Sequence, residues 1–344
     1  MANVVDKSRI PVTLVTGVLG AGKTTLLNHV LGGGSGRRIV VIENEFGDVG
    51  VDGSLVGAAC QVLYELNDGC VCCSVREDLI AVFRDLLNRL EDIDHVIIET
   101  TGLAEPAPVM RIFELPDVRA AFELDGVVTV VDSAHIEESL DDVSACLEQI
   151  AYADLLILNK IDCVAPDGLE SIEAHLKRLN PLASIQRAQH AQVDVDSLLD
   201  LGGRRHEERA IPHHDHSHDV HHHDSHGGHD HAHGGHDHSH DEGIHAVVVE
   251  LAGDINVAAL DVWLGKLARR ADSPLLRMKG VLAVPGDPRR FVFNGVRDVV
   301  DVRPGRPWDS DTRVSRIVMI GRSLDSAKAQ AEFAACMAQP AQAS

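Results

Sequence analysis

The chain has 344 residues, enough for two ordinary domains, and its 44% hydrophobic but only 3% aromatic content calls for a core of Val, Leu, Ile and Ala, a composition that suits buried parallel strands covered by helices. A formal net charge of -22, from 31 Lys+Arg against 53 Asp+Glu, would repel phosphate backbones and anionic lipid heads, which argues against nucleic acid and membrane surfaces as partners. The first residues, MANVVDKSRIPVTLVTG, lack the marks of a signal peptide and no apolar run approaches the roughly 20 residues that span a bilayer, so a cytoplasmic address is expected.

In chain order, short apolar runs at 12–16 (VTLVT), 38–42 (RIVVI), 61–66 (QVLYEL), 95–99 (HVIIE), 126–131 (GVVTVV) and 154–158 (DLLIL) read as strands. Amphipathic stretches near 23–31, 76–91, 106–114, 134–150 and 168–179 read as the helices between them. The alternation predicts an α/β fold with a mostly parallel sheet, built from βαβ units. From 213 to 245 the composition changes to a run holding 15 of the 21 histidines and almost nothing that could form a core, so disorder without ligand is expected there. Periodicity returns with a strand at 246–251, a helix at 256–270, strands near 275–284, 290–294 and 313–320, and a last helix from about 323, a smaller α+β domain. The expected division is 1–205, a histidine-rich linker at 206–243, and 244–344.

Gly17-Val18-Leu19-Gly20-Ala21-Gly22-Lys23-Thr24 follows the first strand, fits G-x-x-x-x-G-K-[ST] and opens directly into a helix. Glycines here let backbone N–H groups and the helix N-terminus turn towards phosphates, so Gly17, Gly20, Ala21, Gly22 and the adjoining Thr25 belong to the expected nucleotide site. Lys23 would reach the β and γ phosphates and serve catalysis, and the Thr24 hydroxyl would ligate Mg²⁺. The strand HVIIE ends in Glu99-Thr100-Thr101-Gly102. Glu99 can act on the Mg²⁺ shell or the attacking water, and Gly102 can offer its N–H to the γ phosphate. Asn159-Lys160-Ile161-Asp162 follows the sixth strand, and its Asp162 carboxylate can accept two hydrogen bonds from guanine that adenine does not offer. Together the three motifs point to GTP, with hydrolysis slow in the absence of a stimulating metal or partner, since no glutamine or arginine stands out to position water.

Seven cysteines are scattered along the chain except for Cys70, Cys72 and Cys73, in ELNDGCVCC. Gly69 permits the turn that would let three thiolates converge, and three sulfurs plus one nitrogen or oxygen make a tetrahedral site suited to Zn²⁺, with Co²⁺ as the other tenant. Packing value alone and a redox thiol are the rival readings. Polar neighbours, Asn67, Asp68, Ser74, Arg76 and Glu77, count against plain burial. Glu43 is the preferred candidate for the fourth ligand, with Glu45 and Asp48 as alternatives.

In that order GVLGAGKTT, ENEFG, ELNDGCVCC, ETTG and NKID resemble the CobW family of metal-handling GTPases. The resemblance implies a P-loop GTPase domain followed by a smaller C-terminal domain of the CobW type. It places Lys23 and Thr24 at the phosphates and Mg²⁺, Cys70, Cys72 and Cys73 at an internal metal, and Asp162 on guanine. It further implies a metallochaperone that binds GTP and GDP, hydrolyses GTP and delivers metal to an apo-metalloprotein client. A homodimer is an allowed assembly. Glu43 in ENEFG is similar to the zinc-transferring members, with Co²⁺ delivery for cobalamin biosynthesis as the alternative. The interleaved histidines and aspartates of the linker would buffer several ions with little selectivity. A metal store with nucleotide-regulated loading is therefore the rival from another class.

Overall fold

The computed structural model describes residues 9–32, 36–43, 60–65, 74–201, 243–269, 275–297, 299–308 and 312–338. Its first unit runs β1 (Ile10–Thr16), α1 (Lys23–Gly32), β2 (Ile39–Glu43), β3 (Cys60–Glu65), α2 (Ser74–Leu86), β4 (His95–Glu99), α3 (Pro106–Met110), α4 (Pro116–Ala121), β5 (Phe122–Asp132), α5 (Ile136–Asp142), α6 (Ser144–Tyr152), β6 (Leu155–Asn159), α7 (Pro166–Leu179), β7 (Ser184–Arg187) and α8 (Val195–Leu198). The second runs β8 (Ile244–Ala252), α9 (Val257–Ala268), β9 (Leu275–Ala283), β10 (Arg289–Val296), β11 (Val299–Pro307), β12 (Val314–Arg322) and α10 (Ser326–Ala334).

The first unit holds a seven-stranded sheet in the order β3-β2-β4-β1-β5-β6-β7. Every pairing in it is parallel. Strands β2, β4 and β6 are buried at every residue, which is why they read as unbroken apolar runs: helices cover both faces. The second unit is a five-stranded antiparallel sheet in the order β11-β10-β9-β12-β8. One of its faces packs on α9 and α10 through Val249, Met278, Phe293, Ile317, Trp263 and Phe333. The other contributes Leu276, Val318 and Ile320 to a cluster shared with Ala151 and Tyr152 of α6, so one apolar core continues across the two units. No helix among the described residues is long and apolar enough to cross a membrane.

Two expectations need correction in detail. The helix expected over 134–150 is two helices, because Val143 (φ -118°, ψ 97°) is extended and breaks the path between α5 and α6. Strand β11 was not expected at all. Its sequence VVDVRPGRP carries two prolines, which a central strand rejects but an edge strand tolerates, and β11 is the edge of its sheet.

Candidate functional site

The carboxyl ends of β1, β2, β4, β5 and β6 form one edge, where ligands of open parallel sheets bind. The phosphate loop leaves β1 at Gly17, whose φ is +138° and whose added Cβ would lie 2.2 Å from the Val130 carbonyl oxygen on β5. Gly22, at φ +110°, is also constrained, since a Cβ there would meet the Asn159 side-chain Nδ2 at 2.4 Å. Both positions therefore require glycine, for conformation and for space. Ala21 is buried, Gly20 adopts φ +76° and Thr25 is exposed on the first turn of α1. Lys23 is buried at the start of α1, and its Nζ donates to the Val18 carbonyl inside the loop at 3.4 Å.

Thr24 Oγ1 donates to Glu99 Oε1 at 3.4 Å, so the hydroxyl expected at Mg²⁺ and the acid at the end of β4 meet. Glu99 is in register with Val15 of β1 on one side and Glu43 of β2 on the other, and Glu43 is in turn in register with Glu65 of β3. Glu43 is 4% exposed and Glu99 fully buried, on strands about 4.8 Å apart, where like charges repel unless a cation or proton lies with them. One hydroxyl beside buried carboxylate oxygen is a hard oxygen donor set, the chemistry that Mg²⁺ selects.

After Glu99 the chain turns back over the phosphate loop. The Thr100 N–H donates to the Val15 carbonyl at 3.0 Å, and its hydroxyl donates to Thr16 Oγ1 at 2.9 Å. Gly102 lies so close to the loop that an added Cβ would sit 2.5 Å from the Leu19 nitrogen. The Gln149 side chain on α6 pins this turn, donating from Nε2 to the carbonyls of Gly102 at 3.2 Å and Ala104 at 3.1 Å. No sequence signal marks Gln149, because its partners are more than 40 residues away.

At the end of β6 Asn159 is a structural tie. It donates to the Ala21 carbonyl at 2.9 Å and accepts from the Ala191 N–H at 2.8 Å, which fixes the phosphate loop to the turn after β7. Lys160 is left-handed (φ 59°), as are His190 (φ 52°) and Ala191 (φ 54°), and such non-glycine residues cost of order 1–3 kcal/mol each where a site dictates the backbone. Lys160 Nζ donates to Asp132 Oδ2 at 2.6 Å, and the same carboxylate takes the Ala134 N–H and lies 3.2 Å from His135 Nδ1. Burial pushes the Asp132 carboxyl up, but its bonds with Lys160, His135 and Ala134 carry it below the usual carboxylate range. Asp162, two residues after Lys160, is exposed, its Oδ2 accepting from the neighbouring Cys163 thiol at 3.8 Å. Asp132 was not singled out from the sequence, although an acid closing an apolar strand was visible there.

Cys70, Cys72 and Cys73, and the alternative ligands Glu45 and Asp48, lie outside the described residues, as does the histidine run at 213–242. The cysteines fall between β3, which pairs with the strand carrying Glu43, and α2, which starts at Ser74.

A sequence profile described as CobW/HypB/UreG, nucleotide-binding domain matches residues 11–187, and one for the cobalamin synthesis protein cobW C-terminal domain matches residues 244–337. The chain is 38% identical to a Pseudomonas aeruginosa protein named zinc chaperone CobW, with 93% of this chain and 89% of the relative covered. It is 34% identical to the Escherichia coli zinc chaperone YjiA, with 94% and 98% covered. Its fold matches the crystal structure of Zn(II)-bound YjiA GTPase from E. coli with a TM-score of 0.72 at 30% identity, over 96% of this chain and 99% of that one. A phosphate loop, an acid on the neighbouring strand and an NKID turn on one sheet edge, joined to the matching second domain, make this chain a member of the CobW family of P-loop GTPases.

Proposed function

We propose that the protein is a zinc chaperone that binds Zn²⁺ at Cys70, Cys72, Cys73 and Glu43 and uses GTP hydrolysis to release it to an apo-metalloprotein client in the cytoplasm. The observation that supports it best is the register of Glu43 with Glu99, which puts the preferred carboxylate for the cargo metal one strand away from the acid of the nucleotide site. The full-length relatives named as zinc chaperones supply the metal.

In this reading the loop amides from Gly17 to Thr25 cradle the phosphates and Lys23 leaves the Val18 carbonyl to neutralise the β and γ oxygens. Thr24 and Glu99 would hold Mg²⁺, which would supply positive charge to offset the charge developing on the phosphate oxygens. The Gly102 N–H meets the γ phosphate. Asp162 selects guanine, and Lys160, anchored by Asp132, flanks the base. Loss of the γ phosphate frees the segment after Glu43, so the cargo site loosens when hydrolysis is complete.

Reciprocity requires that bound Zn²⁺ change the GTP-to-GDP preference by the factor by which GTP changes Zn²⁺ affinity. Competition of the protein with a chromophoric chelator, for Zn²⁺ and separately for Co²⁺, in the non-hydrolysable GTP analogue and GDP states tests this. Tighter Zn²⁺ binding with the analogue supports the reading, and equal affinities in the two states overturn it.

A further inference from the structure

Helix α6 lies between the turn at 100–105 and the C-terminal sheet, and two consecutive residues face these two neighbours. Gln149 is fully buried and gives both carbonyl contacts to the turn, at Gly102 and Ala104. Its own backbone carbonyl is held by Thr129 Oγ1 at 2.7 Å, so the helix is tied to β5 at this residue. Glu148 faces the other domain, where Arg297 approaches at 3.4 Å and Arg322 at 3.9 Å. Arg297 occupies the turn between β10 and β11 in a left-handed conformation, its N–H bonded to the Leu276 carbonyl and its Nε to Tyr152 Oη at 2.8 Å. The same guanidinium comes within 4.0 Å of Glu105, the residue that closes the turn and precedes α3 as its N-cap. One arginine of the second domain thus bears on the end of the turn and on the neighbour of the glutamine that pins its middle.

Gln149 Oε1 is buried and has no hydrogen-bond partner among the described residues. A buried acceptor left unmade weakens the arrangement that contains it relative to one in which a turn N–H reaches it. The side chain is therefore suited to hold the turn in two places, through its N–H groups in one and its oxygen in the other.

We propose that Gln149 is a positioning residue for GTP turnover, fixing the turn at Gly102–Ala104 over the phosphate loop, and that the C-terminal domain sets this position through Arg297. The inference rests on the reading of Gly102 as a γ-phosphate contact. It gives the second domain a direct mechanical hold on hydrolysis, so that a client seated on that domain would alter the GTPase rate without touching nucleotide.

The test uses the full-length protein, as wild type, Gln149→Leu and Arg297→Gln, with kcat and KM for GTP, GDP affinity, and hydrogen exchange of amides 101–105 in GDP and in a non-hydrolysable GTP analogue. Wild type is expected to protect these amides more with the analogue than with GDP. Gln149→Leu is expected to lower kcat about tenfold or more, leave GDP affinity within about twofold and lose the nucleotide-dependent protection, since small displacements of a positioning group fall on the transition state. Arg297→Gln is expected to lower kcat about threefold and to reduce the nucleotide-dependent protection, again with GDP affinity within about twofold. If wild type shows no difference between nucleotides, the reading of Gly102 fails and the inference with it. If wild type shows the difference and Gln149→Leu keeps it with an unchanged kcat, or loses GTP and GDP affinity equally, the positioning role alone is overturned. Should Gln149→Leu not fold, Arg297→Gln, whose side chain is one-third exposed, decides: an unchanged kcat and exchange pattern overturn the proposal.

Discussion

Glu43 and Glu99 stand in register at the ends of adjacent parallel strands, both buried, so two carboxylates of one edge share a space that water barely reaches. Two like charges one strand spacing apart, about 4.8 Å, repel by about 3.5 kcal/mol at an effective dielectric near 20. In the proposed reading this field favours Mg²⁺ beside Glu99 and the cargo metal beside Glu43. Replacing Glu43 by Gln removes one carboxylate of the pair and one proposed metal ligand together. Zn²⁺ retention against a chelator is expected to fall about tenfold or more. GDP affinity should stay within about twofold. Unchanged Zn²⁺ retention would remove Glu43 from the cargo site.

The phosphate loop makes a sharper steric prediction. Gly17→Ala would drive a methyl into the Val130 carbonyl, backbone against backbone, at a residue whose φ already excludes L side chains. Nothing there is free to move, so a loss of about 3 kcal/mol or more is expected, with little folded protein at 37 °C. Gly22→Ala is strained by its φ of +110° too, but the contact it makes is with the Asn159 amide, a side chain that can move, rather than with backbone. It should fold, with a smaller stability loss in urea titration, and instead lose nucleotide affinity, because the amide that ties the loop to Ala191 is displaced.

Much of this site could be read in the chain because each motif is local. Gly17 to Thr24, Glu99 to Gly102 and Asn159 to Asp162 each close a buried strand, and a buried parallel strand announces itself as an apolar run. What was not legible depends on partners distant in sequence. Asp132 matters because β5 and β6 are neighbours, which places its carboxylate on Lys160. Gln149 matters because α6 passes under the turn after Glu99. The left-handed His190 and Ala191 carry no glycine to mark them. Strand β11 was hidden by its own prolines, which only its edge position makes harmless. Cys70, Cys72 and Cys73 are the reverse case, prominent in sequence and outside the described residues.

The two domains meet across a charged cluster. Asp154 Oδ1 takes contacts from Arg277 and, at 2.6 Å, from Lys279, while its Oδ2 accepts the Val127 N–H at 2.9 Å. Burial alone would raise this carboxyl, but the Arg277 and Lys279 charges hold it well below the usual range. Asp154→Asn leaves two cations facing each other in an apolar interface, with Arg277 only 3% exposed. Breaking a buried pair in this way costs about 3–5 kcal/mol. The variant is expected to show the C-terminal domain unfolding ahead of the nucleotide domain in calorimetry, where GDP raises only the later transition. A single transition at the wild-type temperature would remove this cluster from the account of domain docking.

His95 sets how the protein responds to mild acid. It is fully buried at the start of β4 with Nε2 2.8 Å from Thr13 Oγ1, and burial, helped by the Arg37 charge, pushes its pKa down to about 3. In the unfolded chain the imidazole titrates near 6.5, so below that pH the unfolded state binds a proton that the folded state refuses. Stability is then intact above about pH 6.5 and declines as pH falls towards 3, by at most about 1.4 kcal/mol per unit. Urea unfolding of the wild type should lose about 2 kcal/mol from this group between pH 7 and 5. His95→Gln keeps a polar partner for Thr13 and cannot titrate. It is expected to be less stable at pH 7 through imperfect packing, yet to lose about 2 kcal/mol less than wild type on going to pH 5. Parallel pH profiles for the two proteins would mean that His95 takes up its proton without unfolding, and that β4 opens to water at its base.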